Sequence, residues 1–222
     1  MTPSSTAADL ARLVAIVPLR SLEGAKSRLG GPLDAEERQT LVADLLDRTV
    51  RAASAAEAVE AVVVVSPDPT VLRAASAAGA TPVRQVGQGL NEGLRAAARW
   101  AAADGATALL VLPGDLPAVS PASIAAIVDA ARAAASAEPG RPLVAIVADR
   151  HGRGTNALLL SPPDAIPFAF GPDSREAHLA AARQAGAAIV EVESPLALDL
   201  DLPDDLVLAE RLGLLDPARR VG

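Results

Sequence analysis

The chain has 222 residues, half of them hydrophobic, with no cysteine, no tyrosine, two histidines and a formal net charge of −7. Alanine fills 51 positions, and 19 of the 20 basic residues are arginine, which leaves Lys26 as the only lysine. These numbers exclude a thiol nucleophile, a disulfide, a Cys-ligated zinc site and a tyrosine acid, and they leave carboxylate, arginine and backbone chemistry. An acidic balance without a basic run argues against nucleic acid as a partner. No stretch reaches the ~20 apolar residues of a membrane span, and MTPSSTAADLAR lacks a basic-then-apolar leader, so a cytoplasmic protein is expected. The length suits a single domain, read as a flexible N-terminal tail over 1–12 and a domain over 13–215.

The first element is LVAIVP at 13–18, a continuous apolar run of the kind that forms a parallel strand covered on both faces. The loop after it carries Arg20, Ser21, Gly24, Lys26, Ser27 and Arg28, at the end of a strand where α/β folds place ligands. Guanidinium forks and an ammonium point charge suit a triphosphate. The loop is not a Walker A motif, because Ala25 precedes Lys26 and the earlier glycine is missing. Asp34 is placed to cap a helix whose Leu41, Leu45 and Leu46 share a face and whose Glu36 and Glu37 sit in the favourable first turn.

AVVVVS at 61–66 is a second buried strand, followed by a helix near 69–78 and a short TPVRQV strand. GQGLNEG then opens a helix over 89–103, with Trp100 as a core or lid residue. Its GxGxxxG spacing is not a dinucleotide fingerprint, but Gly89 and Asn91 could cradle a nucleobase through amides. ATALLVLPGDLP is a strand ending in a tight acidic turn, where Pro113 and Gly114 present Asp115 in a set direction for Mg²⁺. Ser120 caps the next helix, and LVAIVAD and NALLLS (143–149 and 156–161) are strands joined by DRHGRGTN, which carries His151, Thr155 and Asn156.

FGPDSREAH places Gly171 before a helix capped by Asp173 or Ser174, whose free amides form an anion site, with Arg175 and His178 one turn apart. A strand, AAIVEV, and a final helix near 204–212 close the chain. Between them, LALDLDLPDDL alternates leucine with acid, so an extended backbone puts Asp199 and Asp201 on one face; two such carboxylates repel unless a cation lies between them. Asp204 and Asp205 start the last helix. Repeating βα units of this kind predict a single-domain, Rossmann-like three-layer α/β sandwich with a mostly parallel sheet.

In order, the stretches PLRSLEGAKSRL, QGLNEGL, LPGDLP, RGTNALLL, FGPDS and LDLDLPDDL resemble the guanylyltransferases of coenzyme F-420 biosynthesis over residues 17–206. The resemblance implies a nucleotidyltransferase of the GT-A-like, nucleotide-diphospho-sugar transferase type that joins GMP from GTP to phosphoenolpyruvate, or to 2-phospho-L-lactate. It implies Asp115, Asp199 and Asp201 as ligands of Mg²⁺, with Lys26 and Asp115 catalytic. Arg20, Ser21, Gly24, Lys26, Arg28 and Gly114 would hold the triphosphate, and Gly89 and Asn91 the guanine. Thr155, Gly171 and Ser174 would hold the three-carbon acid. Arg20 stands where the family pattern leads one to expect lysine, which keeps the charge and changes the hydrogen-bond geometry. The implied partners are the two small substrates and the downstream transferase of the same pathway, with room for a homodimer. Competing readings are a molybdopterin guanylyl- or cytidylyltransferase on the same fold and a non-catalytic nucleotide-binding subunit. An NAD-dependent oxidoreductase is disfavoured, since no GxGxxG follows the first strand.

Overall fold

Alternation along the first strand sets the layers. In β1 (Leu13–Pro18), Leu13, Ala15 and Val17 enter one apolar cluster, while Val14 and Ile16 enter another on the opposite face. The computed structural model describes residues 8–22, 26, 29 and 31–215. Among them, β2 (Val59–Ser66), β3 (Thr81–Arg84), β4 (Ala108–Val111), β5 (Leu143–Ala148), β6 (Thr155–Ser161) and β7 (Ala188–Glu191) join β1 in one sheet of order β3-β2-β1-β4-β6-β5-β7. Only β6 runs against its neighbours β4 and β5; every other pairing is parallel.

Helices α1 (Ala35–Ala55), α2 (Pro69–Ala77) and α4 (Pro121–Ala137) pack on the Leu13 face, and α3 (Leu90–Ala103) and α5 (Ser174–Gln184) on the Val14 face. α6 (Pro203–Arg211) lies beside α1, with Ala209 in a cluster with Leu45 and Leu200. At about 1.5–3 kcal/mol for each fully buried large aliphatic side chain, the two faces of the central strands dominate the stability. Capping follows the sequence: the Asp34 carboxylate accepts from the Glu36 and Glu37 amides, and Glu37 returns a bond to Asp34 N–H.

Parallel strands leave the sheet at one edge, and this is what assembles a site. β1 and β4 pair Ile16 with Val111, so the loops after both strands emerge side by side. Antiparallel β6 begins at that edge with Thr155, β7 ends there, and the helices preceding β4 and β7 start there. The described part of the loop after β1, including Lys26, and loops 112–120, 149–154 and 192–202 therefore meet around the first turns of α3 and α5.

Three sequence expectations change. Residues 196–201 form no ladder: a 3-10 turn, Pro195–Ala197, leads into irregular backbone, yet the alternation survives, with Leu198 and Leu200 buried and Asp201 exposed. Trp100 is 37% exposed and so is not a core residue. Residues 8–12, placed in the tail by composition, are tied down: Ala8 N–H donates to Arg141 O and Asp9 N–H to Ser161 Oγ at 2.7 Å. Residues 1–7 lie outside the described residues.

Candidate active site

Asp115 stands in the turn after β4, half-buried, and Lys26 reaches it from the loop after β1. Lys26 Nζ lies 2.5 Å from Asp115 Oδ2 and 2.8 Å from Asp201 Oδ1. Its backbone sits at φ 55°, in the left-handed region, which costs a non-glycine residue roughly 1–2 kcal/mol and which the two ion pairs offset. Burial alone would lower the Lys26 pKa, but the Asp115 and Asp201 charges outweigh it and hold the ammonium above its ordinary range.

Asp199 completes the group. One oxygen from each of Asp115, Asp199 and Asp201 lies within 4.8 Å of the others. Burial raises the Asp199 pKa first, and the neighbouring Asp115 and Asp201 charges raise it further, against the Asn156 amide and the Lys26 charge. Three carboxylates against one ammonium leave two negative charges in excess. Asp115 Oδ1 is buried and, among the described residues, has no hydrogen-bond partner. An orphaned carboxylate oxygen on one of three clustered carboxylates, with no thiolate or imidazole in the set, fits a hard divalent cation such as Mg²⁺ or Mn²⁺.

Two residues named in the sequence for other reasons hold this group in place. Asn156 Nδ2 donates to Leu196 O and Ala197 O, both at 3.0 Å, and reaches Asp199 Oδ1 at 3.3 Å, so β6 anchors the aspartate-bearing loop. Asp205 does start α6 as expected. Its buried carboxylate also accepts from Leu202 N–H and Asp201 N–H and pairs with Arg150 at 2.5 Å, which fixes the backbone at Asp201.

A second group lies around α5. Thr155 Oγ1 and His178 Nδ1 are 3.0 Å apart, and His178 Nε2 accepts from Ala169 N–H at 3.0 Å. Ser174 sits one turn before His178, buried, and Gly171 has φ 137°, a conformation that suits glycine. Two details of the α5 reading change. Asp173 occupies the cap position without a side-chain cap bond, because its carboxylate pairs with Arg153, and the first amides of α5 are already taken, Ser174 N–H by Gly171 O and Arg175 N–H by Arg153 O. Arg175 turns outward to Glu191 while His178 turns inward. Full burial of the imidazole pulls its pKa down to about 4.

The other predicted positions fall as follows. Arg20 is exposed beyond β1, and the Ser21 hydroxyl donates to Asp68, the cap of α2. Gly24 and Arg28 lie outside the described residues. Gly114 backs onto Val17 at ordinary contact distance, so space does not require a glycine there. Gly89, at φ 88°, precedes α3. Asn91 spends both ends of its amide on the Phe170 backbone, donating to its O at 3.0 Å and accepting from its N–H at 2.9 Å. It ties the glycine loop to the 168–174 loop. Gln85, which the sequence did not single out, donates to Gly87 O and Gly89 O and packs against Gly93. His151 is exposed. A groove of about 1000 Å³ beside α1, lined by Glu37, Asp44, Arg48 and Leu214, includes none of the predicted site residues. No helix among the described residues is long and apolar enough to cross a membrane.

Comparison with known proteins agrees with this geometry. The family model described as "Guanylyl transferase CofC like" matches residues 13–210. The chain is 46% identical over 200 residues to a phosphoenolpyruvate guanylyltransferase of Rubrobacter xylanophilus, covering 90% of this chain and 94% of that one. It is 46% identical over 194 residues to the enzyme of the same name from Sphaerobacter thermophilus, covering 87% and 90%. Among solved structures, a proposed nucleotide-diphospho-sugar transferase of Desulfovibrio desulfuricans G20 superposes with a TM-score of 0.71 at 16% identity, covering 94% and 90%. Glucosyl-3-phosphoglycerate synthase of Mycobacterium tuberculosis, in complex with Mg²⁺ and uridine diphosphate, gives 0.58 at 16% identity, covering 93% and 81%. These two likenesses concern the fold.

Proposed function

The chain belongs to the CofC-like guanylyl transferase family, and from that premise we propose that it transfers GMP from GTP to the phosphate of phosphoenolpyruvate, releasing pyrophosphate, as a step of coenzyme F-420 biosynthesis. It is a nucleotidyltransferase, an enzyme of the GT-A-like class. The observation that carries the reading is the cluster of Asp115, Asp199 and Asp201, with Asp115 Oδ1 unpartnered among the described residues, at the strand edge where this fold class binds nucleotides. The names of the relatives support phosphoenolpyruvate as acceptor.

In the reaction, an oxygen of the acceptor phosphate forms a bond to the α-phosphorus of GTP while the bond from that phosphorus to the bridging oxygen of pyrophosphate breaks. The nucleophile is ionised at neutral pH, because the second pKa of a phosphoryl group lies near ~6, so no protein base is required. A chain without cysteine or tyrosine, and with one buried and one exposed histidine, loses nothing by it. Asp115, Asp199 and Asp201 would hold Mg²⁺, which supplies charge neutralisation at the phosphates when bound. Lys26 leaves its carboxylate pair for the triphosphate, and Arg20 adds a second cation at the mouth. The glycine loop at Gly89 receives the guanine with backbone amides, held in shape by Gln85 and Asn91. Thr155, Gly171 and Ser174 bind the three-carbon acid. Rate enhancement then comes from positioning and fixed charge. The downstream transferase consumes the product.

Pyrophosphate release from each of GTP, CTP and ATP paired with phosphoenolpyruvate or 2-phospho-L-lactate tests the proposal. Release with GTP and phosphoenolpyruvate is expected. Preference for 2-phospho-L-lactate would move the acceptor assignment, and no release with GTP and either acid would overturn it.

A further inference from the structure

We propose that His178 is a positioning residue for the acceptor: fixed as the neutral tautomer protonated on Nδ1, it turns the hydroxyl proton of Thr155 toward the three-carbon acid. The inference rests on the acceptor site proposed above. The tautomer follows from the neighbours of the ring. A backbone N–H can only donate, so the Ala169 amide requires a lone pair on Nε2. In a neutral imidazole the proton then sits on Nδ1, and Nδ1–H donates to Thr155 Oγ1 at 3.0 Å. That bond fills an acceptor position of the threonine oxygen and leaves its own proton to be given away. Among the described residues, no acceptor takes it.

A carboxylate or phosphate oxygen is the acceptor such a proton favours, in a charge-assisted bond. With the opposite tautomer, Thr155 would spend its proton on Nδ1 and present only lone pairs, which repel an anion. The ring has little freedom to change its role. It is fully buried, and Phe170 meets it edge to face at 4.9 Å between centroids. Asn91 clamps the Phe170 backbone and His178 the Ala169 backbone, so the segment leading into Gly171 is held by α3 and α5. Burial also keeps the ring uncharged at neutral pH, with its pKa near 4.

The test compares KM for phosphoenolpyruvate with KM for GTP in Thr155→Val, His178→Gln, His178→Asn and the Thr155→Val/His178→Gln double variant. Losing one hydrogen bond to an anion should raise the acid KM roughly ten- to a hundredfold in Thr155→Val and in His178→Gln, with the GTP KM within about twofold of wild type. The Asn amide nitrogen takes the place of Nδ1–H, so His178→Asn should recover most of the loss. The double variant should be no worse than Thr155→Val alone. If His178→Gln costs as much in the Thr155→Val background as in wild type, the relay through Thr155 is overturned. If Thr155→Val leaves the acid KM unchanged, the acceptor assignment itself fails.

Should the buried substitutions unfold the chain, ¹⁵N-histidine NMR of His151→Gln, which keeps His178 as the sole histidine, decides the matter. Nδ1 protonated and Nε2 bare from pH 8 down to about pH 5.5 is the expected spectrum, given the depressed pKa. A ring protonated on Nε2 would overturn the proposal.

Discussion

The two halves of the site solve opposite problems. Around Asp115 the chain gathers like charges: Asp199 is held partly protonation-prone by burial and by its neighbours, Asp115 Oδ1 has no partner among the described residues, and one ammonium serves two carboxylates. Around Thr155 the polar groups are neutral and matched to one another, with both ring nitrogens of His178 and both ends of the Asn91 amide bonded. The first half, with its excess negative charge and unpartnered oxygen, is incomplete as it stands. The second is satisfied at His178 and Asn91 and lacks only an acceptor for the Thr155 proton. The contrast teaches where each kind of variant should act: on charge and turnover in one half, on acceptor binding and folding in the other.

The comparison breaks most easily at Asp115. Asp115→Asn removes a ligand charge without changing shape and should cut pyrophosphate release at least about a thousandfold, the scale expected when charge stabilisation of a phosphoryl centre is lost. Activity within about tenfold of wild type would show that the excess charge is not used. Lys26→Met comes next, with turnover down roughly a hundredfold from the loss of a phosphate contact. Three carboxylates then lack their internal counter-charge, so added Mg²⁺ should raise the melting temperature more in this variant than in wild type.

In the other half, the expected effect is on stability. An unfolded imidazole titrates near 6.5, whereas folded His178 titrates at about 4, so the unfolded state binds more protons between these values. The contribution is intact above pH 6.5 and falls as the pH drops, by about 3 kcal/mol at pH 4. No charged group contributes to this shift, so it reads burial alone. Urea unfolding of wild type and His178→Gln at pH 7.5 and 4.5 should show the gap between them narrowing in acid; a constant gap would contradict it. The smallest effect belongs to Asn156→Ala, at the seam between the halves. Two carbonyls lose their donor, for about 1–3 kcal/mol in urea unfolding, and turnover falls about tenfold as Asp199 loses its support.

Local patterns made the frame legible in the sequence. The apolar run at 13–18, the Asp34 cap and the Ser120 cap give boundaries that the structure matches closely. Asp115 and the Asp199–Asp201 pair were legible because a turn and an alternation each aim side chains, even though the latter segment is irregular backbone rather than a strand. What stayed hidden depends on partners far along the chain. Asn156 meets residues some forty positions away, Asp205 serves Asp201 only because α6 starts where it does, and Asn91 looks free to meet a base until Phe170 is brought beside it. His178 pairs with Arg175 one turn apart in the sequence reading and is instead a sealed ring turned away from it. The left-handed Lys26 likewise carries no local sign.

The central claim, that the incomplete half is a divalent-cation site, is tested most directly by binding of Mn²⁺ followed by electron paramagnetic resonance, in wild type and in Asp115→Asn, with GTP present. Saturable binding by wild type that is weakened at least about tenfold by the substitution is the predicted result, since the carboxylate lost would be a direct ligand. Equal binding by the two proteins would contradict the account.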